Sequence, residues 1–123
     1  MTARILAWGP VVAYMALIFY ASSRPGVPPV VGLFSDKVVH AAAYAVLAGL
    51  VVRALTDRFR LTVTLGVALL AATIAAGYGA SDEIHQSFVP TREMDAFDLL
   101  ADSVGAVIAA VGFRAWSILA RRK

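Results

Sequence analysis

Residues 81–102 read SDEIHQSFVPTREMDAFDLLAD. Six of the chain's eight carboxylates fall in this stretch: Asp82, Glu83, Glu93, Asp95, Asp98 and Asp102. His85 lies within it, and Arg92 comes directly after the turn sequence Val89-Pro90-Thr91. Long apolar runs flank it on both sides. The chain is 60% hydrophobic and 15% charged, against roughly 45–50% apolar in soluble domains. Charges gathered this way in so apolar a chain point to a shared site between helices.

Working outward, four apolar runs appear: Ile5 to Ala21, Val38 to Val52, Leu61 to Ala80 and Ser103 to Ala120. A bilayer-spanning helix takes about 20 mostly apolar residues. The first and third runs meet that alone. The second meets it if its helix extends from Ser35 to Leu55. The fourth is interrupted by Arg114, whose stem is expected to carry the charge to the headgroups near the helix end. The first run has a basic start at Arg4 and a cleavage-like Tyr20-Ala21-Ser22. Its apolar part exceeds the about 7–15 residues of a secretory leader, so a retained helix is expected. The fold class is therefore an all-α membrane protein, a four-transmembrane-helix bundle forming a single domain over residues 1–123. The absence of cysteine excludes disulfides, thiolate metal sites and a Cys nucleophile.

Pro10 sits inside helix 1, tolerable where neighbouring groups take up the freed carbonyl. Ser22-Ser23-Arg24-Pro25-Gly26 ends that helix, and Pro28-Pro29 keeps the connection extended. Ser35 is the expected N-cap of helix 2, with Asp36 at the positive end of its dipole. Lys37, His40 and Tyr44 follow within an arc of about 60°. Helix 3 is rich in Gly and Ala, which permits close helix approach, and turns polar only at Ser81–Gln86. Asp82 and Gln86 are spaced i, i+4, and Glu83 and Gln86 i, i+3, so the three can share a face. Asp95, Asp98 and Asp102 form one stripe at the start of helix 4, with Gly105, Ala106, Ala109 and Ala110 beyond it.

Four spans put both termini and the 53–60 link on one side. That side carries Arg4, Arg53, Arg58, Arg60, Arg114, Arg121, Arg122 and Lys123; the other carries only Arg24, Lys37 and Arg92. The excess of basic residues predicts cytoplasmic termini. Of the carboxylates, only Asp57 falls on the basic side.

The polar end thus collects Ser22, Ser23 and Arg24; Asp36, Lys37, His40 and Tyr44; Asp82, Glu83, His85 and Gln86; and Arg92, Asp95, Asp98 and Asp102. Ionisable groups within spans point to function. The plainer alternative makes Asp36 and Asp95 helix starts in headgroup water, with Lys37 and Arg92 pairing to neighbours. It accounts less well for His40, Tyr44, Gln86 and Asp102, which lie deeper. Asp36-x-x-x-His40 and Asp82-x-x-His85 are helical metal-ligand spacings, a loose match to a carboxylate-bundle site. Arg24, Lys37 and Arg92 offer a clamp for a phosphate headgroup. Ser22 or Ser23 with His40 is the one conceivable nucleophile–base pairing. Asp102 lies about 10 Å below Asp95, and by depth His40 is its nearest partner if helices 2 and 4 are neighbours. The alternative is a neutral Asp102 bonded to a hydroxyl or backbone carbonyl.

The blocks Ser22-Ser23-Arg24-Pro25-Gly26, Asp36-Lys37-x-x-His40-x-x-x-Tyr44, Asp82-Glu83-x-His85-Gln86-x-x-x-Pro90-x-Arg92 and Asp95-x-x-Asp98-x-x-x-Asp102-x-x-Gly105 resemble the VanZ-like family in kind and order. Asp102 stands where the family often has Asn, and Thr91 where Gly is common. The resemblance implies a small multi-pass protein of the bacterial cytoplasmic membrane, related to one linked to resistance to teicoplanin, a lipid-bearing glycopeptide. Three functions stay open. The first is an outward polar pocket binding a membrane lipid or lipid-linked envelope component. The second is an intramembrane enzyme acting on such a headgroup, with His40 and a carboxylate as acid and base. The third is a structural partner of another membrane protein. The sequence calls for no cofactor and no nucleic-acid partner.

Overall fold

The computed structural model describes residues 1–25 and 36–122. It contains four helices: α1 (Thr2–Ser22), α2 (Asp36–Leu55), α3 (Leu65–Gln86) and α4 (Ala96–Ala120). Each is long and apolar enough to cross a bilayer, with 21, 20, 22 and 25 residues, against a need of about 20. The expected N-cap Ser35 lies outside the described residues. α3 starts at Leu65 because Thr64 caps it, its hydroxyl accepting from Val67 N–H at 3.1 Å. α4, built on the run that Arg114 interrupts, is the longest helix. Asp95 caps it, Oδ1 accepting from Phe97 N–H at 2.8 Å.

α4 packs most extensively on α2 and next on α3, while α1 leans chiefly on α2. The core is made of small and branched side chains: Leu47, Ala48, Val51 and Val52 of α2, Ala71 and Ala75 of α3, Ala106 and Ala110 of α4. Without polar–apolar contrast between core and lipid, close backbone approach drives this packing. Its extreme is Gly105, where an added Cβ would stand 2.0 Å from the Ala41 carbonyl oxygen. α1 buries only Ala7, Val11 and Ser22. Two tyrosines tie it down: Tyr14 OH donates to Ala43 O at 2.9 Å, and Tyr78 OH to Met15 O at 2.6 Å.

Pro10 lies inside α1 without ending it. Its missing N–H leaves the Leu6 carbonyl free, and Arg53 Nη1 donates to Leu6 O at 3.2 Å and to Ala7 O at 3.4 Å. Arg114 Nη1 donates to Val63 O at 3.3 Å, while Ser117 Oγ accepts from Val63 N–H at 3.0 Å. α4 side chains thus satisfy both backbone groups of Val63, and Arg114 reaches the link at that end of the bundle. In that link Asp57, Arg58 and Phe59 have φ of 46°, 60° and 68°, a left-handed run costly for non-glycine residues. It places the Phe59 ring 5.3 Å from Phe113 and 5.9 Å from Trp116.

Candidate functional site

Opposite the 56–64 link, the start of α2, the end of α3 and the start of α4 converge. Glu83 organises the junction. It is 2% exposed, and its Oε2 accepts from the Asp95 N–H at 2.9 Å, fixing the entry of α4 against α3. Asp95 Oδ2 in turn accepts from Lys37 Nζ at 2.8 Å. Lys37 beside it, with the Phe97 N–H, holds the Asp95 carboxyl below the usual carboxylate range. Lys37 Nζ also donates to Asp98 Oδ1 and lies 3.8 Å from Asp36 Oδ2. The lysine therefore ties α2 to the first turn of α4.

One turn deeper, His40 Nδ1 lies 2.9 Å from Asp102 Oδ1, the contact expected from helix depth. His40 Nε2 faces Asp98 Oδ2 at 3.6 Å and Asp36 Oδ1 at 3.9 Å. Asp102 is fully buried. It fits because Gly79 has no side chain there: a Cβ would stand 3.1 Å from Asp102 Oδ2 and 3.2 Å from the Tyr44 ring. On α3, Gln86 Nε2 donates to Asp82 Oδ2 at 3.2 Å and to Ser22 Oγ at 3.4 Å, joining α3 to α1.

A cavity of about 260 Å³ opens between α1, α2 and α3. Its polar lining comes from Asp36, His40 and Tyr44, from Asp82 and Gln86, and from Ser22 and Arg92. Ile18, Ala21, Val39 and Ala43 complete it. Arg92, one of the lining residues, has no carboxylate within ion-pair distance among the described residues.

The cluster read from sequence is brought together for the most part. Arg24 lies apart, exposed, donating from Nη1 to Tyr20 OH at 2.7 Å with its guanidinium 5.4 Å from that ring. The three-cation clamp therefore does not assemble: Lys37 is engaged by Asp95 and Asp98, and Arg92 alone lines the cavity. The serine–histidine expectation is also corrected. Neither Ser22 nor Ser23 bonds His40. Ser23 Oγ instead contacts His85 Nε2 at 2.9 Å while donating to Phe19 O at 2.7 Å. With its proton directed to Phe19 O, Ser23 accepts from the Nε2–H tautomer of His85, an arrangement that does not activate the hydroxyl. Phe19 stacks on the same imidazole, ring centroids 4.3 Å apart.

Among the described residues two groups have metal-ligand geometry: Asp36, His40 and Asp98; and His40, Glu83 and Asp102. The i, i+4 pair Asp36/His40 belongs to the first. The other expected pair, Asp82 and His85, belongs to neither, because His85 turns to Ser23. Ser22 and His85, expected at this polar end, both reach it: Ser22 lines the cavity and accepts from Gln86, while His85 contacts Ser23.

A family model described as VanZ/LLP1 matches residues 7–119, nearly the whole chain. No curated protein and no solved structure matches it.

Proposed function

This chain belongs to the VanZ/LLP1 family, and from that premise we propose that its polar pocket faces outward and binds the headgroup of an amphiphilic envelope component. The membrane is the bacterial cytoplasmic membrane, with both termini cytoplasmic. The excess of eight basic residues over three between the two ends supports that orientation. The observation that carries the reading is Arg92. Arg92 lines the cavity and, among the described residues, has no carboxylate within ion-pair distance, which suits it to a phosphate or carboxylate. Asp36, Asp82, Gln86 and Ser22 beside it supply acceptors and donors for hydroxyl or amide groups.

The apolar side chains of the same cavity, Ile18 and Val39 among them, suit a ligand that is polar at one end only. Its volume of about 260 Å³ is below the roughly 300–1,000 Å³ of drug-sized ligand sites. One headgroup unit of a lipid-linked cell-wall intermediate fits; of a lipoglycopeptide, only a fragment does. A link to teicoplanin-type resistance belongs to this reading through the family.

Native mass spectrometry of the protein in nanodiscs with a lipid-linked cell-wall precursor tests it. Wild type is expected to retain the lipid, and Arg92→Ala to lose it at normal membrane levels. Equal retention by both sinks the reading. A reporter active only outside the cytoplasm should be silent at the C-terminus and active in the 22–35 loop; the reverse pattern overturns the orientation.

A second reading, an enzyme acting on the same headgroup, draws on the His40–Asp102 contact. A buried carboxylate on one imidazole nitrogen fixes tautomer and ring orientation, leaving the other nitrogen for acid–base work. Consumption of the precursor by wild type, abolished in His40→Ala, distinguishes turnover from binding.

A further inference from the structure

At and beside the cavity lies a set of buried carboxylate oxygens left without partners among the described residues. Asp82, Glu83 and Asp102 are 5%, 2% and 0% exposed. Each engages one carboxylate oxygen: Asp82 Oδ2 with Gln86, Glu83 Oε2 with the Asp95 N–H, and Asp102 Oδ1 with His40. The second oxygen of each is buried with no hydrogen-bond partner among the described residues, and so is the Tyr44 hydroxyl. Buried charge of this kind is stable only when paired, protonated or bound to a cation. Lys37 is committed to Asp95 and Asp98. Of the three, Glu83 and Asp102 share the His40 imidazole.

We propose that His40, Glu83 and Asp102 form a binding site for a divalent cation of the Mn²⁺ or Zn²⁺ class. One donor atom from each lies within 4.8 Å of the other two. Ligands sharing an ion at about 2.1 Å sit about 3–4 Å apart, within reach of small side-chain rotations. The ion takes the place of the proton between His40 Nδ1 and Asp102 Oδ1, now 2.9 Å apart. One imidazole and two carboxylates suit Mn²⁺ or Zn²⁺. Ca²⁺ needs six to eight oxygens, and Cu(I) prefers sulfur ligands, of which this group has none. The outer support is present as well: the Asp95 N–H fixes the other Glu83 oxygen, as orienting hydrogen bonds do around metal ligands. His40 also lines the cavity, which gives the ion an entry path.

The alternative group, Asp36, His40 and Asp98, has less need of an ion. The Asp36 side chain is 58% exposed and Asp98 is already held by Lys37. The site does not require a bound headgroup, so it stands or falls apart from the headgroup reading.

Purified full-length protein, stripped with a chelator in detergent, is titrated with MnCl₂ while free Mn²⁺ is followed by electron paramagnetic resonance. One saturable equivalent is expected, displaced by Zn²⁺, with an imidazole nitrogen coupling in the pulsed spectrum of wild type. Glu83→Gln and Asp102→Asn should each weaken binding by roughly tenfold or more, and the exposed Glu93→Gln should not. Mn²⁺ should raise the melting temperature of wild type but not of Glu83→Gln. Non-saturable binding, absence of the nitrogen coupling, or wild-type affinity in Glu83→Gln overturns the site. Because the coupling is read on wild type, a variant that fails to fold does not spare the proposal.

Discussion

Replacing Gly105 with alanine puts one methyl group at the tightest point of the bundle. The added Cβ would stand 2.0 Å from the Ala41 carbonyl oxygen, 2.6 Å from its carbon and 2.7 Å from its Cα. Close carbon–oxygen contacts run to about 3.3 Å, so α2 and α4 must separate by about 1.3 Å there. The obstacle is helix backbone, which no rotamer change removes. Asp102 lies one turn before Gly105, and His40 directly precedes Ala41. The same separation would stretch the 2.9 Å His40–Asp102 contact to about 4 Å, beyond hydrogen bonding. Overpacking of this kind costs about 1–3 kcal/mol, a large part of a typical domain stability of about 5–15 kcal/mol. Melting followed by size exclusion in detergent measures the loss, with Gly112→Ala as control because a Cβ there meets nothing within 4 Å. Gly105→Ala should melt well below wild type and Gly112→Ala should not. Equal melting of the two would refute the close approach of α2 and α4.

Thr91 has φ of 67°, a costly conformation for a β-branched residue, so Thr91→Gly should raise stability by about 1 kcal/mol in the same assay; a decrease would show that the threonine side chain outweighs its strain. Arg53→Met should cost about 1 kcal/mol and much less in a Pro10→Ala background, where the restored backbone N–H can serve Leu6 O; an unchanged cost would disconnect Arg53 from the proline. The Asp95 carboxyl is held low by Lys37, so its contribution is complete above the ordinary carboxylate pKa of about 4 and is lost as pH falls through the depressed native value. Asp95→Asn should therefore flatten the acid limb of a stability–pH curve below about pH 4; an unaltered limb would sink this assignment. Gly79→Ala brings a Cβ to 3.1 Å from Asp102 Oδ2 and 3.2 Å from Tyr44 Cε1, contacts with side chains that can yield. It should stay folded, within about 1 kcal/mol of wild type, while altering the His40 imidazole signals in ¹⁵N spectra; unaltered signals would mean that Asp102 does not depend on Gly79.

Depth was legible in the sequence, and rotation was not. A helix rises about 1.5 Å per residue, so counting from the ends makes His40 the basic partner nearest in depth to Asp102, and they meet at 2.9 Å. The i, i+4 spacing of Asp82 and Gln86 became a 3.2 Å hydrogen bond for the same local reason. Which face turns inward is harder to read, because lipid and core are both apolar. Only Gly–Ala stripes and charges mark it, and α1 has no internal charge beyond its first turn. Hence the Ser23–His85 contact, 62 positions apart, could not be anticipated. Asp57, Arg58 and Phe59 carry no glycine or asparagine to signal their left-handed turn, which is held by Phe59 packing on Phe113 and Trp116. Arg114 escaped for a related reason: the carbonyl it serves, Val63, lies in a link whose course depends on tertiary contacts.

The charged cluster and the close packing depend on each other. Asp102 can be wholly buried because Gly79 leaves space on α3, and it can reach His40 because Gly105, one turn on, lets α4 touch the α2 backbone at Ala41. Glu83 fixes the entry of α4 from α3, and Lys37 fixes it from α2. α4 is therefore positioned by charge at its start and by missing side chains deeper down. A bilayer strengthens the first device by excluding water from the deeper groups, and it leaves the second as the main source of helix contact. α1 takes part in neither. It meets the rest through two tyrosine hydroxyls, the Arg53 contact at Pro10 and the serines at its end. The cavity opens along this lightly bonded helix, so the side of the bundle where the proposed headgroup would enter is also the side whose displacement disturbs the α2–α4 pairing least.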